Sequence, residues 1–90
     1  MIPGAAGGRN QISAASSAKP DVLIVGELSE WETAEYVRDA RAAGNKISLI
    51  VLGHADSEEP GSKYMADWVK KNIDGVKVVE IPAGNPFKFA

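Results

Sequence analysis

Asp21-Val22-Leu23-Ile24-Val25-Gly26-Glu27-Leu28-Ser29 opens the stretch that decides the fold. Val22 to Val25 is a continuous aliphatic run, mostly β-branched and ended by a glycine, the pattern of a short strand covered on both faces. A helix follows. Ser29 can cap its first turn while Glu32, three residues on, reaches back to the Ser29 amide in a capping box. Trp31, Ala34, Val37 and Ala40 then recur at helical spacing and Gly44 supplies a left-handed stop, so the helix is expected from about Glu30 to Ala43.

Downstream the alternation repeats. Ile47 to Leu52 reads as a second buried strand, and Pro60 stands where a first helical residue is favoured. Tyr64, Met65, Trp68, Val69 and Ile73 form one apolar stripe, closed by Gly75. Val76, Val78, Val79 and Ile81 suggest a third strand, and Pro82, Gly84 and Pro86 bar regular structure beyond it. Strand, helix, strand, helix, strand with short connections predicts an α/β fold: βα repeats in three layers around a mainly parallel sheet with right-handed crossovers.

Upstream, residues 1–20 form a separate stretch, a Gly-rich loop and then a short helix over Gln11 to Ala18, ended by Lys19-Pro20. A glycine turn leading into a helix looks like a βα unit whose strand has been cut away, because Met1-Ile2-Pro3 is too short to be one. The βαβαβ segment is therefore placed at 21–90, and the chain is expected to be a fragment or to start internally.

Composition bounds the function. Ninety residues, 44% apolar and 24% charged, suit one small globular domain burying about 60–65% of its unfolded surface. A net charge of −2 with no basic run argues against nucleic acid or an anionic membrane as partner. Without cysteine there are no disulfides, thiolate metal sites or thiol nucleophiles. Ile47 to Leu52 is far shorter than the roughly 20 residues of a membrane helix, and Met1 to Lys19 lacks a signal-peptide pattern. A cytoplasmic protein is expected by default.

In parallel sheets, sites gather beyond the carboxyl ends of the strands. Two stretches qualify. Gly26-Glu27-Leu28-Ser29 puts a carboxylate just past the first strand, either as a surface acid or as a group supporting a site at that edge. Gly53-His54-Ala55-Asp56-Ser57-Glu58-Glu59-Pro60, expected to be a loop, holds the only histidine and three carboxylates. His54 and Glu58 are four apart and can converge on one cation, a mixed N and O donor pair suited to zinc, iron or manganese. A catalytic metal usually takes three protein ligands, so others must come from elsewhere. Asp56 is a third candidate, although a carboxylate there also suits capping. The plainer alternative is a loop histidine among solvated acids that complement a helix dipole. Gly4 to Arg9 lacks the Gly-Lys-Ser/Thr ending and glycine spacing of a phosphate loop and reads as a tight turn. Trp31 and Trp68 lie at core or interface spacing. No nucleophilic triad is present, and no catalytic residue is assigned.

Asp21 to Ser29 resembles the D-x-x-x-x-G-E-x-S segment of the Nif-three-like family, also called dinuclear metal centre hexameric or GTP cyclohydrolase one type two. Gly53 to Gly61 resembles its G-H-x-x-[ST]-E-x-x-G motif, and Val79-Glu80-Ile81-Pro82 to Phe89 its terminal strand and tail. Order and spacing agree from about Gly4 onward. The resemblance implies that His54 and Glu58 are ligands of a site holding two divalent metals, with Glu27 near it but not a ligand. It also implies a hexameric homo-oligomer and a metal-dependent hydrolase acting on a nucleotide-like substrate. Family members carry a preceding half, with a His-His pair and an Asp that complete the site. This C-terminal segment alone is therefore expected to bind metal weakly and to lack catalysis. The alternative is a non-catalytic oligomeric scaffold or protein-interaction module, which exposed aromatics would favour.

Overall fold

A computed structural model describes residues 1–4 and 6–86. The chain divides into two compact units, Met1–Gly53 and His54–Ala90.

The first unit is built from α1 (Gly8–Ala18), β1 (Val22–Val25), a π-helical segment (Glu30–Ala34) continuing into α2 (Glu35–Ala42), and β2 (Ser48–Val51). Helix α1 ends at Lys19, which takes the left-handed conformation at φ 43° and returns its amide to Ala15 O at 3.0 Å. Pro20 has no amide with which to continue the helix. Strands β1 and β2 pair in parallel, Val22 with Ser48 through Val25 with Val51. The helical crossover between them is what parallel pairing requires. The α/β expectation holds in this coarse form.

Ala15, Leu23, Val25, Val37 and Ile47 form the core, with Leu28, Tyr36, Ala40 and Leu49 packed against it. The expected helical stripe is altered at its start. Glu30 to Ala34 wind as a π-helix, with the Glu35 amide reaching Glu30 O, and this wider turn brings Thr33 fully inside while Trp31 is left exposed. The capping box does not form. The Ser29 side chain makes no capping bond; its carbonyl instead accepts the Glu32 and Thr33 amides, each at 3.1 Å. Glu32 lies against Gly8 at the start of α1, so closely that a Cβ on Gly8 would collide with its carboxylate. Gly44 does provide the expected stop, at φ 94°.

The second unit contains α3 (His54–Asn72), and here two expectations are corrected. The helix begins at His54, so the expected loop before Pro60 is helical and Pro60 lies inside it. Asp56 in the first turn favours the helix amino end electrostatically, while Ser57 Oγ donates to His54 O at 2.8 Å. Pro60 in the helix interior deprives α3 of one amide donor. The third strand, Val76 to Ile81, is not formed. Val76, Val79 and Ile81 are exposed, and among the described residues this segment pairs with no strand. Tyr64, Met65, Trp68 and Ile73 of the α3 stripe are likewise exposed, with Ala66 the buried residue of the helix. Of the expected tail, Phe87 to Ala90 lie outside the described residues.

Candidate functional site

Because α3 starts at His54, the pair singled out by spacing sits on its first two turns. Residues four apart on a helix face the same way. His54 Nε2 and Glu58 Oε2 are 3.0 Å apart, and both side chains are more than half exposed. That separation can be spanned by one cation bonded at about 2.0–2.2 Å to an imidazole nitrogen and a carboxylate oxygen. The pair fits a two-donor chelate.

It does not by itself fit a two-metal centre. Asp56, the third candidate, is two residues from His54 and so off its helix face. Its carboxylate accepts from Asn85 Nδ2 at 2.6 Å, and Glu59 Oε1 accepts the Gly84 amide at 2.8 Å. These bonds hold the segment after Pro82 to the first turns of α3. Among the described residues, no group of three or more His, Cys, Asp or Glu side chains could hold a metal ion.

Glu27 belongs to the first unit, just past the carboxyl end of β1, as its position after the aliphatic run suggested. What holds its backbone was missed in the sequence. Gln11, buried in α1, donates through Nε2 to Ala6 O at 2.8 Å and to Glu27 O at 2.9 Å. Thr33 Oγ1 in turn donates to Gln11 Oε1 at 2.7 Å. The amide thus joins α1, the Gly-rich turn, the loop after β1 and the π-helical segment, with each of its described polar atoms satisfied. Glutamine and threonine carry no periodic signal of such a role.

The Gly-rich turn leads into α1 through Gly7, whose carbonyl accepts the Asn10 and Gln11 amides at 2.9 and 3.0 Å. Glu32 already brings a carboxylate to this helix start, so a phosphate there would meet like charge. Elsewhere in the first unit, a cleft of about 270 Å³ includes Lys19, Tyr36, Asn45 and Lys46 in its lining. It lies where α1 and α2 end, and lysines at helix carboxyl ends are accounted for by the helix dipole. No described helix is long and apolar enough to cross a membrane.

The chain matches no family model, no curated protein and no solved structure.

Proposed function

We propose that this chain supplies His54 and Glu58 as a two-donor half-site for a divalent cation within a Nif-three-like dinuclear-metal protein. The observation that carries this reading is the 3.0 Å approach of His54 Nε2 to Glu58 Oε2 on one exposed helix face. Further donors come from outside the chain, since a catalytic site needs more than two. When bound, such metals activate water for hydrolysis, here of a nucleotide-like substrate. His54 and Glu58 hold and orient the cation, and without it their donor atoms lie 3.0 Å apart. The finer architecture of three-layer βα repeats, a cytoplasmic location, a hexameric homo-oligomer and a supporting role for Glu27 belong to the same reading. Metal content of the protein with and without His54→Ala tests it: the substitution should lower bound metal, and unchanged content would refute the ligand assignment.

A second reading, a non-catalytic assembly module, is favoured by a separate observation. Trp31, Tyr64 and Trp68 are 77%, 73% and 51% exposed. Large aromatics in water are a common mark of interfaces. Turnover of nucleotides that is lost with His54→Ala would decide for the hydrolase, and no turnover across a broad substrate panel for the scaffold.

A further inference from the structure

The sheet of the first unit has one closed edge and one open edge. Along β1, the amino group of Met1 donates to Val22 O at 2.7 Å and Met1 O accepts the Ile24 amide at 2.9 Å. That edge is met by the chain itself. On the inner side, Ser48 N donates to Asp21 O at 2.8 Å and Leu52 N to Val25 O at 2.9 Å. Residues 48, 50 and 52 therefore turn their backbone groups toward β1, and the alternation of a parallel ladder turns those of Leu49 and Val51 away from it. Ile47 O, also on the outer side, accepts from Arg41 Nη1 at 2.7 Å. Among the described residues no strand pairs with the outer side of β2.

Edge strands of soluble proteins are normally blocked by charge, proline, a bulge or a covering element. Ile47-Ser48-Leu49-Ile50-Val51-Leu52 has no charge, proline or glycine. Ile50, Val51 and Leu52 are 46%, 51% and 48% exposed. We propose that a second copy of this chain adds its own β2 antiparallel to this edge, about a two-fold axis passing at Ile50. The axis sets Leu49 opposite the partner's Val51 and Val51 opposite the partner's Leu49. These are the residues whose amides and carbonyls point outward, so the two pairs exchange four backbone hydrogen bonds. Ile50 meets the partner's Ile50 between them, an apolar cross-strand pair at the close, non-hydrogen-bonded position. Against itself β2 opposes no like charges and brings aliphatic side chains together across the strands. The result is a continuous four-stranded sheet, parallel within each copy and antiparallel at its centre, with the isologous geometry usual for dimers. This inference does not depend on the metal reading.

Sedimentation equilibrium over roughly 10 µM to 1 mM, joined to amide hydrogen exchange, tests it on the whole chain. A reversible dimer is expected, with protection of the Leu49 and Val51 amides rising as it forms while Ile50 and Leu52, already bonded to β1, change little. Val51→Pro deletes an outward amide and spares the β1 ladder; Ile50→Lys sets two ammonium groups opposite each other. Each should weaken the dimer about tenfold or more. Should Val51→Pro fail to fold by circular dichroism, Ile50→Lys and the two amides decide. A chain monomeric throughout the range, a dimer whose Leu49 and Val51 amides stay unprotected, or undiminished association of both folded variants would each overturn the proposal.

Discussion

Thr33 Oγ1 donates a 2.7 Å hydrogen bond to Gln11 Oε1 in the interior of the first unit, joining two residues 22 apart in sequence. Both side chains are buried, and neither belongs to the apolar pattern that organises the helices. The bond holds α1 against the segment that leads out of β1, and through Gln11 it holds the backbone of Glu27.

Thr33→Val removes the donor and leaves Gln11 Oε1 buried without it, which should cost about 1–3 kcal/mol in urea unfolding. Thr33→Ser keeps the hydroxyl and should cost less. Gln11→Leu strands the Ala6 and Glu27 carbonyls as partners, and the double variant should be less destabilised than the sum of the two, since the residues act as a pair.

Burial separates residues that looked alike in sequence. Leu23→Ala, at the centre of the core, should cost about 2–5 kcal/mol. Trp31→Ala and Tyr64→Ser, on exposed faces, should each stay within about 0.5 kcal/mol of the parent. Acrylamide should quench the tryptophan emission readily.

The first two strands, the short helix before Lys19, the glycine stop at Gly44 and the parallel pairing were legible because each depends on local pattern: an aliphatic run, a missing amide, a positive φ; the burial expected of Ile47 to Leu52 did not follow, since Ile50, Val51 and Leu52 are exposed. The failures share another cause. At Trp31 the π-helical turn shifted which residues face inward, and nothing in hydrophobic spacing reports a change of winding. At Pro60 the favoured first-turn position was not the one used, since α3 begins at His54 and carries the proline in its interior. For Val76 to Ile81 the alternation was present, but the segment pairs with no described strand, and alternation alone does not specify a pairing partner. At the site, the spacing of His54 and Glu58 placed them together, and helicity from His54 supplied the reason. The bonds of Asp56 to Asn85 and of Glu59 to Gly84 arise from tail placement that no motif encodes.

The two glycine substitutions should act with opposite signs, and the proline substitution with the sign of the second. Gly44, at φ 94°, has no close neighbour, so Gly44→Ala should destabilise by about 1 kcal/mol through backbone strain alone. Gly61 lies within α3, also without a close neighbour, and Gly61→Ala should instead raise the helicity of α3, by about 0.5–1 kcal/mol. Pro60→Ala should raise it further by restoring an amide donor and relieving the clash within the helix. Circular dichroism and urea titration check all three.

Metal affinity should fall as pH is lowered, because the His54 imidazole must be unprotonated to ligate and the cation competes with a proton. Repeating a zinc or manganese titration at a series of pH values, with His54 ring signals followed by NMR, would show this competition as proton release on binding.

The most direct measurement is calorimetric titration of zinc and manganese into the chain, beside His54→Ala and Glu58→Gln. Weak binding, at about one ion per chain, is expected for two donors on one helix face, perturbing the His54 and Glu58 signals and lost or strongly reduced in both variants. Binding that leaves those signals untouched, or that survives both substitutions unchanged, would contradict the assignment of His54 and Glu58 as a metal half-site.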